Sequence, residues 1–278
     1  MSPPISGLQL SVERWQRSVG MLRSLLIYRA VPWRGAQLRR FYRRFVPLGG
    51  LAFDVGAHAG NRAAAFRQLG ARVVAVEPQP DFVQLLYHRF GGDPGVVVRA
   101  QALGREAGQA RLLTSLRTPT VSTLSADFAR RAGADPSFRG VRWGEGLWVP
   151  VETLDALVAR HGQPDFVKID VEGFEYEVLL GLSRPVPALS FEFLPVVRDV
   201  ALACIDRLET LAGPGCYRYS VSLGERLRLL QPEGESAEAL RAWLRALPPQ
   251  GPSGDVHAWL PDVSVRSLPR TEQGGLAA

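Results

Sequence analysis

The residues of this chain best able to do chemistry fall in two short runs, each placing acids where an apolar stretch ends. The first contains Asp54, Gly56, His58, Gly60 and Asn61, then the stretch 72–76, then Glu77 and Pro78. Residues 51–55 read as a strand, the glycines as a turn, 61–69 as a helix and 72–76 as a second strand. Glycines let a backbone come close to a ligand, and a helix N-terminus offers free N–H groups beyond them. An acid at the end of the second strand can accept hydrogen bonds from ribose hydroxyls. Such an arrangement suits a nucleoside.

The glycine spacing narrows the choice. A dinucleotide fingerprint needs G-x-G-x-x-G, whereas Gly56 and Gly60 are four apart, with Asp54 two residues before the first. That wider loop leaves no snug cradle for a pyrophosphate. It better suits a ligand with an amino-acid end, whose ammonium Asp54 would help to hold through water or backbone; S-adenosyl-L-methionine fits. The plain alternative is a βαβ turn whose glycines only permit tight packing. His58 either touches the ligand carboxylate or a substrate, or fills a turn position.

The second run is Asp165-Phe-Val-Lys-Ile-Asp-Val-Glu-Gly173. Side chains two apart share one face of a strand, so Lys168, Asp170 and, if the strand persists, Glu172 point the same way. Ligands of open α/β sheets lie beyond the carboxyl ends of the strands, where Asp170, Glu172, Glu77 and Glu192 should fall. One use is general base catalysis of methyl transfer to an alcohol, with Lys168 favouring an ionised Asp170 and orienting the acceptor. Another is a divalent-metal site of Asp170, Glu172 and Glu192, since hard cations prefer oxygen. A third is an ion pair without chemistry. The expectation is catalysis by Lys168, Asp170 and Glu172, with no metal. Lys168 is the chain's only lysine among 33 basic residues, either by chance or because its compact ammonium is needed.

The elements that must position these residues alternate regularly. Helix 80–90, strand 95–99, a short strand 109–113, strand 147–151, helix 153–160, strand 165–171, helix 174–181, strand 187–193 and helix 196–211 come in turn. Residues 114–147 have weak periodicity and read as a long loop with one helix (124–132); Thr120, Ser122 and Thr123 would offer hydroxyls to a lid. Residues 216–222 and 226–230 resemble an antiparallel hairpin, followed by helix 236–247 and strand 255–260. The order predicts an α/β, doubly wound, mostly parallel sheet with an antiparallel edge.

Length and charge bound the rest. A chain of 278 residues can bury one full α/β core, expected over 51–260, with a frayed tail at 261–278. Residues 1–50 carry nine arginines against Glu13, a balance of +8, which leaves −2 of the net +6 for the remainder. A near-neutral body argues against nucleic acid as partner. Residues 11–29 and 38–45 read as amphipathic helices of an arginine-rich arm. That arm (11–45) would lie on an anionic membrane surface, draw an acidic acceptor, or pack on the sheet with its arginines solvated. No 18-residue apolar run and no signal-like start is present, and Cys204 and Cys216 are the only cysteines, so cytoplasm is the expected compartment.

The segments FDVGAHAGN, VVAVEPQP, VPVETLDAL and DFVKIDVEGFEYEVLLG together resemble the FkbM-type S-adenosylmethionine-dependent methyltransferases, over roughly residues 50–215. The resemblance implies a class I methyltransferase (Rossmann-like) fold and O-methylation of hydroxyls on natural products, other small molecules or saccharides. By position it implies that Asp54, Gly56, Gly60, Asn61 and Glu77 surround the cofactor and that Gln101 lies near the adenine. It also puts Lys168, Asp170 and Glu172 at the reaction crevice. The family usually reads G-A-N-x-G where this chain has His58 in third place, and the arm lies outside the resemblance. Two other readings stand beside this one: a cofactor-binding interaction protein without catalysis, and a methyltransferase of RNA or protein.

Overall fold

A computed structural model describes residues 34–115, 118–144 and 146–261. The helix expected over 11–29 and the tail from 262 lie outside these residues. The strands are β1 (Leu51–Val55), β2 (Arg72–Val76), β3 (Val96–Arg99), β4 (Ala102–Leu103), β5 (Gly108–Leu112), β6 (Leu147–Glu152), β7 (Phe166–Ile169), β8 (Ala188–Phe193), β9 (Arg218–Leu223) and β10 (Gly254–Trp259). Seven of them form one sheet in the order β3-β2-β1-β7-β8-β10-β9. Pairing is parallel from β3 to β8 and antiparallel where β10 enters between β8 and β9. All residues of β1 and of β7 are buried, as expected of central parallel strands covered on both faces.

Two helical layers supply that cover. On one face lie α1 (Arg34–Tyr42), α2 (Asn61–Gln68) and α3 (Pro80–Phe90), whose Phe41, Phe66 and Leu86 share a core with Ala52 and Phe166. On the other lie α5 (Leu154–His161), α6 (Glu175–Leu180), α7 (Arg198–Ala212) and α8 (Ala237–Ala246), packed through Leu157, Leu179, Ile205 and Leu244. The helix between them in sequence, α4 (Ala126–Ala134), begins where Ser125 Oγ accepts the Phe128 N–H at 3.0 Å. This is the expected Rossmann-like, doubly wound architecture. The chain leaves β1 toward β2 and later returns to its other side as β7, so a crevice opens at the carboxyl ends of β1 and β7.

Three expectations need correction. The strand predicted over 165–171 stops at Ile169, so Asp170 and Glu172 sit in the loop beyond it. Residues 226–230 carry no strand; the antiparallel edge is β9 against β10, separated in sequence by α8, and not a tight hairpin. The short strands β5 and β6 leave the main sheet and form a separate one in the order β4-β6-β5. Apolar alternation marks a strand but not its partner, which explains the second and third differences.

The described part of the arm belongs to the core. Leu38, Phe41, Tyr42 and Phe45 are all buried. Phe45 stacks on Phe166 (ring centroids 5.3 Å) and on His257 (5.5 Å). On the outer side Arg34 pairs with Glu225, and Arg39 donates to the Gln68 side chain at 2.5 Å. Over 34–45 the apolar face is therefore taken by the sheet, in line with the reading of the arm as packed on the sheet with its arginines outward. Among the described residues no helix is long and apolar enough to cross a membrane. Phe45→Ala should lower unfolding free energy by about 3–5 kcal/mol in a denaturant titration. A loss under about 1 kcal/mol would contradict this packing.

Candidate active site

The glycine turn after β1 is left-handed at three residues, two of them glycines. Gly56 has φ 78°, and a Cβ added there would fall 1.9 Å from the Asp170 carbonyl oxygen. The two sequence runs thus touch backbone to backbone, and only glycine permits it. The N–H groups of Gly56 and Ala57 both donate to the Val76 carbonyl, at 2.9 and 3.0 Å. Gly60 (φ 75°) serves packing: a Cβ there would meet Phe90 at 2.6 Å and Leu86 at 2.7 Å on α3. It faces α3 and not the cleft, unlike the cofactor contact expected of it.

Asp54 also faces inward. Its Oδ2 accepts the Ala63 N–H at 2.8 Å, bracing the start of α2 beneath the turn. It is buried and does not line the cleft, so its contact with the site runs through the backbone it braces. Burial pushes its pKa up to about 6, against the pull of Arg62 and Lys168.

Glu77 directly follows β2 as a fixed acceptor. One oxygen accepts the His58 N–H and the other the Gln79 N–H, each at 2.8 Å. A carboxylate oxygen has a second lone pair, so both can still accept a ribose hydroxyl. Burial pushes the Glu77 pKa up to about 7 despite these bonds. Pro78, Asn61 and Gln101 line the same cleft, and Gln101 Nε2 donates to Glu152 at 2.7 Å.

His58 has φ 52°, and Glu172 has φ 55°; among the described residues these are the two non-glycines with left-handed backbone. Both line the cleft, and such strain concentrates where a site over-determines its residues. The His58 ring lies 3.7 Å from that of Phe82, and burial pushes its pKa down to about 4, so the imidazole is neutral at pH 7. The Glu172-Gly173 turn is held by Glu175, whose carboxylate accepts the N–H groups of Val171 and Gly173.

Lys168 has no solvent exposure. Its Nζ donates to Asp255 Oδ1 at 2.8 Å and lies 3.4 Å from Asp170 Oδ2. Burial alone would lower its pKa, but Asp170 and Asp255 carry it above the ordinary lysine value. It stays an ammonium below the cleft wall, out of reach of an acceptor. Asp170 Oδ2 is also 3.5 Å from Arg62 Nη1. Burial would raise the Asp170 pKa, and the two cations hold it below the ordinary value.

Glu172 still reaches the cleft, although by a left-handed turn and not by strand alternation. Oxygens of Asp170, Glu172 and Glu192 lie within 4.8 Å of one another, close enough to hold a divalent cation. Burial, and then the neighbouring acids, push Glu172 and Glu192 well above the ordinary glutamate range.

A strap running from Thr120 to Leu124 forms part of the cleft wall. Ser122 Oγ donates to Gln79 Oε1 at 3.1 Å, Gln79 Nε2 donates to the Pro119 carbonyl at 3.0 Å, and Thr123 Oγ1 donates to the Glu172 carbonyl at 2.7 Å. The strap hydroxyls expected to serve a lid therefore bind the loops after β2 and β7. Arg62, Gln79, Glu225 and Asp255 line the cleft as well and were not foreseen. Arg62 directly follows Asn61 in the first run, a usable signal; Glu225 and Asp255 arrive only through tertiary structure.

The cleft measures about 280 Å³. Its donor set fits a ligand with a ribose and an amino-acid end. Glu77 offers lone pairs to hydroxyls, the left-handed turn lets main chain approach, and acids lie beyond to receive an ammonium.

A family profile described as "Methyltransferase FkbM domain" matches residues 54–196, just over half of the 278. No curated protein matches the sequence significantly. Among solved structures, an O-methyltransferase from Bacillus cereus in complex with SAH is 13% identical, with 92% of each chain covered and a TM-score of 0.43. A precorrin-6y C5,15-methyltransferase from Geobacter metallireducens is 13% identical, with 82% of this chain and 87% of that one covered and a TM-score of 0.41. The O-methyltransferase TomG from Streptomyces achromogenes, in complex with SAM, is 13% identical, with 90% and 96% covered and a TM-score of 0.40. The likeness is distant in each case.

Because the two motif loops touch at Gly56, Gly56→Ala should cost about 3 kcal/mol or more in a denaturant titration. A loss below about 1 kcal/mol would show that the loops are not in contact.

Proposed function

The chain belongs to the FkbM methyltransferase family, and we propose that it methylates a hydroxyl group of a small molecule, natural product or saccharide. S-adenosyl-L-methionine is the cofactor and supplies an electrophilic methyl group. The observation that carries the proposal is Asp170, a carboxylate kept ionised at the crevice by Lys168 and Arg62 and joined by main-chain contact to the glycine turn.

In this reading Glu77 accepts the ribose hydroxyls, Asn61 and Gln101 flank the nucleoside, and the strap over 120–124 excludes water. The acceptor hydroxyl donates to Asp170, which aims an oxygen lone pair at the methyl carbon. When bound, the cofactor would supply the methyl group, and Asp170 would take the proton that the hydroxyl gives up. A positioned base contributes about 10²–10⁴-fold to such a step. Lys168 takes no proton; it keeps Asp170 charged. Arg62 in the lining is offset by Asp170 beside it, which supports an uncharged acceptor over a phosphorylated one.

Two outcomes are expected. With methyl-labelled donor and a panel of hydroxylated small molecules and sugars, wild type transfers label. Asp170→Asn should lose about 10²–10⁴-fold of that transfer while S-adenosylhomocysteine affinity changes only a few-fold. Loss of both together would move Asp170 out of the chemistry and into cofactor binding.

The second concerns pH. Glu77 in the free protein holds its proton up to about pH 7, and ribose hydroxyls donate best to the ionised form. Binding therefore expels a proton, and S-adenosylhomocysteine affinity should rise with pH through 6 to 8. Glu77→Gln should bind weakly with no such slope; a wild-type affinity that is flat with pH would contradict the assignment.

A further inference from the structure

Arg62 is, among the described residues, the one cationic side chain in the lining of the cleft; apart from the neutral His58, every other ionisable side chain there is a carboxyl group. It is the second residue of α2, and 25% of its side-chain surface is exposed. The protein leaves donors of its guanidinium unfilled. Nε has no hydrogen-bond partner, and Nη1 lies 3.5 Å from Asp170 Oδ2, long for a charge-assisted hydrogen bond. Asp170 also has Lys168 at 3.4 Å, so it does not depend on Arg62 alone. A guanidinium is a planar fork of N–H donors whose geometry matches a carboxylate. The helix adds to the same sign: Gly60 caps α2 without a side chain, and the positive end of the helix dipole opens where Asn61 and Arg62 line the cleft.

Topology decides which end of a ligand meets Arg62. The central strands run β2-β1-β7, with Glu77 just beyond β2 and Asp170 just beyond β7. The glycine turn after β1 lies between them. A nucleoside whose ribose hydroxyls rest on Glu77 therefore extends its chain over the glycine turn, toward Asp170 and Arg62. We propose that Arg62 binds the carboxylate of the cofactor's amino-acid end. The inference rests on the reading of this cleft as the site of S-adenosyl-L-methionine and goes beyond it by assigning the carboxylate to a side chain. Its consequence is selectivity: a ligand with the same nucleoside and ammonium but no carboxylate lacks its anchor.

The test is calorimetry on the full chain, comparing S-adenosylhomocysteine with its decarboxylated analogue, which keeps the adenosine, thioether and ammonium. Wild type should bind S-adenosylhomocysteine about 10- to 100-fold more tightly, the range expected of hydrogen bonds between charged groups. Arg62→Gln should weaken S-adenosylhomocysteine by a similar factor and leave the decarboxylated analogue nearly unchanged, so that the preference disappears. Arg62→Lys, which keeps the charge without the fork, should recover part of it. Equal binding of the two ligands by wild type overturns the proposal without recourse to any variant. An Arg62→Gln protein that keeps the preference overturns it too, as does one that weakens both ligands alike, the behaviour of a merely structural arginine. Should Arg62→Gln fail to melt cooperatively, Arg62→Met, which keeps the apolar stem, takes its place under the same criteria. No binding of S-adenosylhomocysteine to folded wild type would overturn the cofactor reading and this inference with it, a result distinct from binding without preference.

Discussion

An ammonium with no access to water has to be neutralised where it lies, and Lys168 imposes that demand at the centre of the sheet. Taking such a charge out of water is unfavourable by several kcal/mol, and removing one partner of a buried pair typically costs about 3–5 kcal/mol. Two acids meet the demand from elements far apart in sequence: Asp255 on the last strand and Asp170 in the loop after β7. The pairing fixes where the crevice loop sits relative to β10. It also explains an unusual polar row across the sheet, in which Asp54, Lys168, Ser190 and His257 stand opposite one another on adjacent strands, all buried. The aromatic residues of the arm cover that row, with Phe45 stacked flat on His257.

At the carboxyl ends of the strands the site is built under tension. The turn after β1 and the loop after β7 meet at Gly56, and on either side of the contact a non-glycine residue, His58 or Glu172, is held left-handed. Three fixed carboxylates beneath and beside them, Asp54, Glu77 and Glu175, are buried with pKa values raised to about 6, 7 and 7. Each raised carboxylate favours the fold in its protonated form. Its contribution is fully present below the unfolded pKa near 4 and is lost as pH climbs to 6 or 7, so the free protein carries its acids at neutral pH at the expense of stability. A ligand that donates hydrogen bonds to Glu77 recovers part of that loss.

Much of this was legible in the chain. The parallel strands, the glycine turn and Glu77 follow from apolar runs punctuated by glycine and acid, because those local signals also dictate the local geometry. Less was legible where the geometry depends on partners. Strand alternation put Glu172 on the same face as Lys168, yet the strand ends at Ile169 and a left-handed turn brings Glu172 to the cleft by another route. Asp54 and Gly60 carried the look of ligand contacts and instead brace α2 and admit α3. Asp255 and Glu225 offered no signal at all, since each lies in an ordinary-looking segment and reaches the cleft only when distant elements pack together. The arginines of the arm drew attention to charge, whereas its aromatic residues do the anchoring.

The central claim is that the glycine turn and Glu77 hold S-adenosyl-L-methionine in the cleft. The most direct measurement is a calorimetric titration of the full chain with S-adenosylhomocysteine, run beside NAD. Saturable one-to-one binding at micromolar concentration, with no heat from NAD, is the predicted result. No binding of S-adenosylhomocysteine to protein that melts cooperatively would mean that the turn serves packing alone, and the enzyme assignment would fall with it.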